Sequence, residues 1–395
     1  MEVHVLGSGG REHAIGWAFW KAGFDVFYHP GNAGTKLHGK NMPYDSLEDV
    51  KKMKGIVIPG SETFLAMGVA DLSKNVLGPV KEMANLEASK AYAVDFAKRW
   101  GIKIPRSLVA EHPEELPGLL KHFEPPYVIK ADVLAGGKGV IILEEFEKAV
   151  EVGSKLMRGE LLKGVSGKVV LQQFLRGKEL SAMAIVNGRD FSLLPFARDY
   201  KRAYDGDKGP NTGGMGSWGP VEVGKNLRSK IEEMFEKTLF GLEKEGEKYR
   251  GFLYLGLMIV EGEPYLLEYN VRLGDPETEV IVWLNPEAFV EAVLAAYQGE
   301  KIPTMHVQGY AVDVVVASEG YPQSFKKGQV IEVEDAEGCF FAGVTEENGK
   351  LVVSGGRVVH CMGAGRTLEE ARNRAYRRVD GVRFEGKSFR RDIAL

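Results

Sequence analysis

The sequence has few of the residues that mark several large classes of protein. It contains only two cysteines among 395 residues, Cys339 and Cys361, and their spacing fits neither a disulfide framework nor a CxxC metal site. Its eight histidines are scattered and give no metal signature. We therefore expect both thiols to be reduced and to have a structural role.

Long apolar runs and an excess of positive charge are also missing. No stretch approaches the roughly 18 consecutive apolar residues that a membrane-spanning helix requires. The first residues, "MEVHVLG", enter an apolar strand without a basic segment, so we expect a cytoplasmic protein. The formal net charge of −4 gives no overall basic field for nucleic acid. The composition is that of a globular protein, and the length predicts roughly two to four domains.

Alternating apolar runs and turn signals predict the domain organisation. A parallel, doubly wound sheet is expected first, because strands in "EVHVLG", "DVFYH", "GIVIPG" and "NVLGP" alternate with helices. Antiparallel hairpins are expected later, at Asn187-Gly188 and at Glu261 to Pro264, and "PETEVIVWLNPEAFVEAVLAAYQGE" reads as one helix. The predicted domains span residues 1–104, 105–175, 176–302 and 303–395, the last of these a small α+β unit.

Residues 128–140, "VIKADVLAGGKGV", combine two lysines with three glycines. Backbone amides beside glycine can approach phosphate oxygens closely, and an ammonium adds positive charge. The stretch is not a Walker A motif, because Gly139 follows Lys138 where a Ser or Thr would bind magnesium. Apolar, β-branched runs flank it, so the loop of a hairpin is expected to face phosphate.

The turn "GSGGREHA" lies between the first strand and the first helix, which is the position of an anion site in parallel sheets. Glu12 stands where the dinucleotide fingerprint needs glycine, so NAD is disfavoured. A tight turn without a ligand is the alternative. Arg11 and a second glycine-rich loop, "HPGNAGT", favour a sugar-phosphate ligand.

Glu268 and Asn270 in "EYNVRLGDPETE" lie two residues apart on a predicted strand, so both side chains face one side of it. Their oxygens suit Mg²⁺ that also binds substrate phosphates, and Arg272 is expected on the same face. An ordinary solvated strand face is the alternative. The apolar flanks "YLL" and "VIVWL" indicate burial, and a buried charge needs a partner such as a cation.

Residues 197–220 combine four cationic and three acidic side chains with a glycine cluster. Long irregular loops of compact domains are either functional or disordered. A functional loop is favoured here, because Tyr200, Tyr204, Met215 and Trp218 offer anchors.

Taken together, these stretches resemble the phosphoribosylamine–glycine ligases, also called glycinamide ribonucleotide synthetases, a family of the ATP-grasp superfamily. The similar fragments follow the family's order along nearly the whole chain and include "GSGGREHAI", "PGNAGT", "LEASKAY", "VIKADVLAGGKGVI", "ARDYKRAYDGDKGPNTGGMG", "LEYNVRLGDPETE", "ASEGYP", "GGRV" and "RRDIA". The resemblance implies an α/β and α+β multidomain ATP-grasp fold, with an N-terminal doubly wound parallel-sheet domain and a small C-terminal α+β domain. In such a fold ATP lies between two antiparallel sheets, and a flexible glycine-rich hairpin closes over its phosphates.

The resemblance also implies roles for individual residues. ATP would contact Lys90, Lys130, Gly136, Gly137, Lys138, Gly139, Gln172, Gln173, Phe174, Leu175 and Glu179. The metal, Mg²⁺ or Mn²⁺, would bind Glu268 and Asn270, and the catalytic residues would be Arg272, Asp199 and Lys138. The substrates would contact Gly9, Gly10, Arg11, Glu12, Gly31, Asn32, Asn211, Thr212, Gly213, Gly214, Asp275, Pro276 and Glu277. The chain departs from the family at Gln172-Gln173, where Glu-Glu is usual, and around Glu62 in "PGSETF", where Gly-Pro-Glu is more common.

The implied reaction is the ATP-dependent ligation of glycine to 5-phosphoribosylamine in de novo purine biosynthesis. Glycine's carboxylate would attack the γ-phosphate to give glycyl phosphate and ADP, and the amine would then displace phosphate. Another ATP-grasp carboxylate–amine ligase or a carboxylase is the alternative, although it should lack "PNTGGMG" and "GDPETE" in this form. A nucleotide-binding module without activity would have no reason to keep Glu268, Asn270 and Arg272 together. Small-molecule substrates, a monomer, and no nucleic-acid or membrane partner are expected.

Overall fold

The structure, a computed structural model, describes residues 1–134, 139–161, 164–246 and 248–395. Gly136, Gly137 and Lys138, at the centre of the predicted phosphate loop, lie outside these residues. The described chain contains four sheets of four or more strands, and these sheets position the candidate site.

The N-terminal region forms a parallel sheet. Its elements are β1 (Glu2–Gly7), α1 (Gly10–Lys21), β2 (Asp25–Pro30), β3 (Lys40–Asn41), β4 (Ile56–Pro59), α2 (Glu62–Ala66), α3 (Val69–Leu72), α4 (Lys81–Ala88) and α5 (Lys90–Arg99). The strands lie in the order β3-β2-β1-β4. β1 and β4 are rich in β-branched residues and almost entirely buried, as is typical of a parallel sheet covered on both faces. The predicted strand at "NVLGP" is wrong, because Val76 makes only an isolated bridge to Val57 before Gly78 and Pro79.

The second sheet is antiparallel and carries the predicted phosphate hairpin. Its elements are β5 (Ser107–Ala110), α6 (Leu116–Leu120), β6 (Tyr127–Ala131), β7 (Val140–Leu143), α7 (Phe146–Met157) and β8 (Val169–Gln173), with the strands in the order β5-β8-β6-β7. β6 and β7 pair directly, with Lys130 opposite Val140, which confirms the hairpin. Leu116, Ile129, Ala149 and Leu171 form part of a core between this sheet and its helices.

The third sheet is also antiparallel and lies at the centre of the chain. This region contains β9 (Lys178–Asn187), β10 (Asp190–Leu193), β11 (Arg198–Asp199), β12 (Arg202–Tyr204), β13 (Lys208–Asn211), β14 (Gly216–Gly219), α8 (Lys225–Glu245), β15 (Arg250–Val260), β16 (Glu263–Asn270), α9 (Glu277–Leu284) and α10 (Pro286–Gln298). The sheet order is β10-β9-β15-β16. Both predicted hairpins, at Asn187-Gly188 and at Glu261 to Pro264, are confirmed.

Two predictions in this region are corrected. Residues 197–220 are not one irregular loop, since they contain β11 to β14 with a small β12–β13 hairpin. The predicted single helix at residues 276–300 is two helices that meet at 104°, because Pro286 lacks an amide hydrogen and the Asn285 side chain caps the second helix. Among the described residues no single helix is long and apolar enough to span a membrane, and only this bent pair passes that test together.

The fourth sheet joins the C-terminal region to the centre of the chain. Its region contains β17 (Tyr310–Ser318), β18 (Glu332–Val333), β19 (Cys339–Phe341), β20 (Val344–Glu347), β21 (Lys350–Val353), β22 (Arg357–Gly365), α11 (Leu368–Asp380), β23 (Val382–Arg383) and β24 (Lys387–Ser388). The strand order is β11-β14-β17-β22-β19, and β24 pairs with β17. Strands from both sides of the predicted boundary at residue 302 therefore share one sheet. The three boundaries between the four predicted domains stay predictions.

Two buried imidazoles in the N-terminal sheet are hydrogen-bonded to each other. His4 Nε2 donates to the Lys54 carbonyl at 3.0 Å, so His4 Nδ1 accepts from His29 Nε2, also at 3.0 Å. Burial lowers the pKa of both rings, and the neighbouring His4 contributes to lowering that of His29, to about 4. The folded state therefore binds fewer protons than the unfolded chain below neutral pH.

We expect the His4–His29 pair to make the protein sensitive to acid. The stability that comes from neutral His29 is complete above a pH of about 6.5 and is lost as the pH falls towards 4, because only the unfolded chain takes up the proton readily. The loss at pH 5 is about 2 kcal/mol relative to pH 7. The free energy of unfolding, measured with urea at pH 5 and pH 7, should differ between the two pH values by about 2 kcal/mol less in His29→Gln than in the wild type. His112 is exposed, so His112→Gln is the control. If the free energy of unfolding of His29→Gln depends on pH as strongly as that of the wild type, the assignment is contradicted.

Candidate active site

Lys130 on β6 reaches across from the second sheet to the third. Its Nζ donates to the carbonyl of Leu267 on β16 at 2.9 Å, and the side chain is buried. Burial lowers the pKa of Lys130 to about 8, although the carboxylate of Glu268 partly offsets this effect. The cleft between the two antiparallel sheets therefore contains a weakly solvated ammonium.

Glu268 on β16 is surrounded by cations. Burial would raise the pKa of this carboxyl group, but Lys201, Lys130 and Lys90 outweigh it, and the pKa falls below its ordinary value. Lys90 stands at the start of α5, where its Nζ donates to the Val133 carbonyl at 3.1 Å. Glu268 is consequently an ionised oxygen donor at neutral pH.

The segment after β10 adds Asp199 and Lys201 to the same cleft. Lys201 Nζ lies 3.2 Å from an oxygen of Glu179, the predicted ribose contact. Burial raises the pKa of Asp199, and the carboxylates of Glu277 and Glu179 raise it further, while Lys201 lowers it. Sequence reasoning missed Lys201, although its spacing of two residues from Asp199 was a usable signal.

Glu268 and Asn270 occupy alternate positions of β16, opposite Gly256 and Tyr254 of β15. Asn270 is buried and Glu268 half-buried. A carboxylate and an amide oxygen form a hard donor set that fits Mg²⁺ or Mn²⁺. The pair therefore meets the chemical requirement of the predicted metal site.

Arg272 follows β16 and is tied to the N-terminal region. Its Nε lies 3.1 Å from Glu62, and its Nη2 lies 2.9 Å from Glu87. Glu87 also accepts a hydrogen bond from the Val271 amide at 2.8 Å, and burial raises the pKa of Glu87 to about 7. Sequence reasoning missed Glu87, although it lies in the fragment "LEASKAY".

The N-terminal turn is occupied by its own carboxylate. Glu12 accepts from the Gly9 amide at 2.6 Å and from Arg11 Nε at 2.8 Å, and Arg11 Nη1 donates to the Leu273 carbonyl at 3.0 Å. Both side chains are buried. A side chain at Gly60 would collide with the Glu12 carboxylate, which explains glycine there. Glu12 thus occupies the end of α1 where an external anion was predicted.

Asn32 is held by the protein on every side. Its amide nitrogen donates to the carbonyls of Ser8 and Phe341, each at 2.8 Å, and its side-chain oxygen accepts from the amides of Gly34 and Thr35. The Gly31 amide bonds to the Gly7 carbonyl at 3.1 Å. The loop "PGNAGT" is therefore fixed against both the first turn and the C-terminal region.

A cavity of about 770 Å³ lies beside these two loops. Loop residues of both ends of the chain form its walls. The two cations of the lining, Lys36 and Arg357, are paired with Glu346 and Asp275 of the same lining, each at 2.8 Å. The lining residues are Ser8, Gly9, Gly31, Asn32, Ala33, Lys36, Asn41, Asp275, Tyr321, Ala342, Gly343, Val344, Thr345, Glu346, Ser354, Gly355 and Arg357. Sequence reasoning missed the C-terminal wall, although the quoted fragment "GGRV" contains Arg357.

The predicted glycine-rich substrate loop packs against this wall. Arg357 Nη1 donates to the Gly213 carbonyl at 2.8 Å, and the Gly213 amide donates to the Tyr321 hydroxyl. The hydroxyl of buried Thr212 donates a hydrogen bond to the Lys201 carbonyl. Asn211 is the last residue of β13, and Gly214 lies against Pro276.

Two other predicted contacts point into the protein. Glu277 is buried and accepts hydrogen bonds from Ser181 and Tyr254 at 2.8 and 2.7 Å. The Gln172 side chain donates to Ser107 at 3.2 Å, whereas Gln173 is exposed. Phe174 and Leu175 follow the end of β8, so their backbone lies beyond the sheet ladder. Backbone contacts to adenine thus remain compatible with Gln at both positions.

Profiles of one family match the chain in three consecutive parts. They are described as Phosphoribosylglycinamide synthetase, N domain, at residues 1–87, the ATP-grasp (A) domain at residues 88–278, and the C domain at residues 311–395. A phosphoribosylamine–glycine ligase of Thermotoga maritima is 62% identical over 397 residues, covering 100% of this chain and 99% of the relative. One of Clostridium acetobutylicum is 39% identical with the same coverage.

Solved structures agree with the sequence comparison. The crystal structure of phosphoribosylamine–glycine ligase from Thermotoga maritima superposes with a TM-score of 0.96 at 59% identity and covers 100% of both chains. The biotin carboxylase domain of a 2-oxoglutarate carboxylase from Hydrogenobacter thermophilus gives a TM-score of 0.74 at 16% identity, covering 98% of this chain and 91% of that one. The second similarity concerns the ATP-grasp fold alone.

Proposed function

The chain belongs to the phosphoribosylamine–glycine ligase family, and from this premise we propose that it joins glycine to 5-phosphoribosylamine while ATP is cleaved to ADP and phosphate. The product is glycinamide ribonucleotide, an intermediate of de novo purine biosynthesis. The observation that carries the proposal is the cleft between the two antiparallel sheets, where Lys130 lies close to Glu268.

The nucleotide binds in this cleft. Lys90 and Lys130 bind the α and β phosphates, and the loop that ends at Gly139 closes over them. Phosphate charge favours the ammonium form of Lys130, so it offsets the effect of burial on that group. The backbone of Gln172, Gln173, Phe174 and Leu175 receives adenine, and Glu179 receives the ribose.

Glu268 and Asn270 hold the divalent ion, Mg²⁺ or Mn²⁺. Lys201, Lys130 and Lys90 keep Glu268 ionised, which supports its role as an oxygen donor. When bound, the ion neutralises charge on the phosphates and lowers the barrier to phosphoryl transfer.

Arg272 and Asp199 orient glycine and the acyl phosphate. A carboxylate oxygen of glycine attacks the γ-phosphorus, the bond to the ADP oxygen breaks, and glycyl phosphate forms. Glu62 and Glu87 fix the Arg272 guanidinium beforehand, so little side-chain entropy is lost when it contacts substrate. The amine of phosphoribosylamine then attacks the carbonyl carbon, loses a proton and displaces phosphate. Lys138, which lies outside the described residues, stays the predicted catalytic lysine.

The cavity between the N-terminal and C-terminal loops receives phosphoribosylamine. Arg357 and Lys36 supply positive charge for its 5′-phosphate, and Gly9, Gly31 and Asn32 shape the wall. Glu12 and Arg11 support the turn from behind, since both are bonded to the protein. Gly10, Asn211, Thr212, Gly213, Gly214, Asp275, Pro276 and Glu277 complete the surroundings of this substrate and of glycine.

We further propose a monomer that works in the cytoplasm on small molecules, without a nucleic-acid or membrane partner. The net charge of −4 supports the absence of a nucleic-acid partner. The domains at residues 1–104, 105–175, 176–302 and 303–395 are part of the same proposal.

ADP release should require glycine and phosphoribosylamine together. We expect coupled assays to show little ADP with either substrate alone, and mass spectrometry to detect glycinamide ribonucleotide in the complete reaction. Bicarbonate tests the carboxylase alternative, and equal ADP release with bicarbonate in place of glycine would reject the proposed reaction.

Replacing Glu268 by glutamine should abolish most activity without loss of the fold, because the change is nearly isosteric but removes the ligand charge. We expect kcat to fall by roughly 100-fold or more. Glu261→Gln, on the exposed turn of the same hairpin, is the matched control and should keep wild-type turnover. Wild-type turnover of Glu268→Gln across a magnesium titration would remove Glu268 from the metal site.

Two variants test whether Arg357 or Arg11 contacts the phosphate of phosphoribosylamine. Arg357→Gln should raise KM for phosphoribosylamine by about 10- to 100-fold, since a charge-assisted contact is lost, while the KM values for ATP and glycine stay within about twofold. It should also lower the melting temperature, because Arg357 is bonded to Gly213 and Asp275. Arg11→Gln should mainly lower the melting temperature, because it removes bonds to Glu12 and Leu273. A large KM effect in Arg11→Gln with none in Arg357→Gln would assign the phosphate to the N-terminal turn.

A further inference from the structure

Three carboxylates and one imidazole meet in the interior next to the substrate cavity. Asp275 precedes α9, Glu279 lies on α9, Asp313 on β17 and His360 on β22. Glu279, Asp313 and His360 are 0% exposed. The catalytic proposal above uses Asp275 only as a substrate neighbour and uses none of the other three.

Several polar atoms of this cluster lack a hydrogen-bond partner within the described part of the chain. They are both carboxylate oxygens of Glu279, Oδ1 of Asp313 and Nε2 of His360. Buried polar atoms are nearly always paired, because an unpaired one costs about 1–3 kcal/mol and a charged one costs more. So many unpaired atoms in one place point to a bound partner.

The imidazole is arranged as a metal ligand. His360 Nδ1 lies 2.6 Å from Asp313 Oδ2, so Nδ1 carries the proton and Nε2 presents its lone pair. Nε2 is 3.8 Å from Asp275 Oδ1, which is too long for a hydrogen bond. Two ligands of one metal ion at about 2.1 Å lie about 3 to 4.2 Å apart. A carboxylate behind the ligating histidine is the usual support for such a ligand.

The cluster carries two more negative than positive charges when its three carboxylates are ionised. Asp275, Glu279 and Asp313 contribute three negative charges, and Arg357 contributes one positive charge with Nη1 2.8 Å from Asp275 Oδ1. One divalent cation makes the cluster neutral, and so do two protons on Glu279 and His360. Zinc retention distinguishes these two arrangements.

We propose that Asp275, Glu279 and His360 bind one divalent transition-metal ion, with Asp313 orienting the imidazole. Their donor atoms lie within 4.8 Å of one another, and Glu279 Oε1 lies 3.6 Å from His360 Nδ1, so the side chains must move closer together around the ion. A nitrogen donor favours Zn²⁺ or a similar ion over Mg²⁺. This ion is separate from the one at Glu268 and Asn270, and it cross-links α9 to the C-terminal sheet beneath the first turn.

Gly10 provides the space beside this site. A Cβ atom at residue 10 would lie 2.5 Å from His360 Nε2 and 2.9 Å from a Glu279 oxygen. Any larger residue would crowd the ligand atoms. The structure therefore gives Gly10 a steric role that does not depend on substrate.

Zinc retention by the nucleotide-free protein tests the proposal. The chain is refolded with Zn²⁺ and excess Mg²⁺, which competes at the oxygen-donor pair, and is then desalted for metal analysis. We expect one Zn²⁺ per chain, a higher melting temperature with Zn²⁺, and about 100-fold weaker binding in Glu279→Gln. Gly10→Ala should also weaken binding, although it removes no ligand.

Glu268→Gln is the control and should retain Zn²⁺ as the wild type does. Protein without bound Zn²⁺, or retention unchanged by Glu279→Gln, would overturn the proposal and assign protons to the cluster. Loss of Zn²⁺ in Glu268→Gln alone would assign the metal to the catalytic pair. If Glu279→Gln does not fold, the absorption spectrum of the Co²⁺-loaded wild type decides in the presence of excess Mg²⁺. Four-coordinate Co²⁺ at the buried cluster gives intense visible bands, whereas six-coordinate Co²⁺ at an oxygen-donor site gives weak ones, and absence of the intense bands rejects the site.

Discussion

Arg272 connects the strand of the proposed metal site to the N-terminal region through buried ion pairs. It directly follows β16 and contacts both Glu62 and Glu87, while the Leu273 carbonyl accepts from Arg11. Removing one partner of a buried pair leaves an uncompensated charge and typically costs about 3–5 kcal/mol. Arg272, Glu62 and Glu87 therefore fix the position of Glu268 and Asn270 relative to the first sheet.

Burial sets the electrostatics of the cleft. Burial lowers the pKa of Lys130 and raises that of Asp199, so each group is less charged than it would be in water. In the proposed function, a nucleotide would bring negative charge to the lysines and a divalent ion would bring positive charge to the carboxylates. Both would stabilise the charged forms of these groups, which is the expected form of electrostatic preorganisation.

Local patterns predicted the parts of the fold that depend on near neighbours. The hairpins at Asn187-Gly188 and around "VIKADVLAGGKGV" follow from turn residues and β-branched runs, and both are confirmed. Continuous hydrophobicity gave two wrong predictions. One helix was expected across Asn285, where the following proline breaks it, and a strand was expected at "NVLGP", where the apolar run makes only one bridge. Amphipathic pattern alone does not distinguish these cases.

The site could be predicted only where its residues are close in sequence. Glu268 and Asn270 share a strand, but Asn32 meets Phe341, and Gly213 meets Arg357, across most of the chain. No local signal joins such pairs, so the C-terminal wall of the cavity was missed. The residues of the proposed zinc site are likewise spread over α9, the turn before it, β17 and β22, which is why scattered histidines gave no metal signature.

The N-terminal turn shows why a glycine pattern alone does not identify a ligand. Glycine-rich turns before a helix leave amides free for an anion, but here the carboxylate of Glu12 bonds to the Gly9 amide and is itself paired with Arg11. The same glycine spacing thus serves an internal carboxylate, and Gly10 makes room for His360 and Glu279. In our proposal, positive charge for a substrate phosphate then comes from elsewhere along the cavity wall. Arg357 and Lys36 are the cations that line it among the described residues, so the proposed recognition of that phosphate depends on contact between the two ends of the chain.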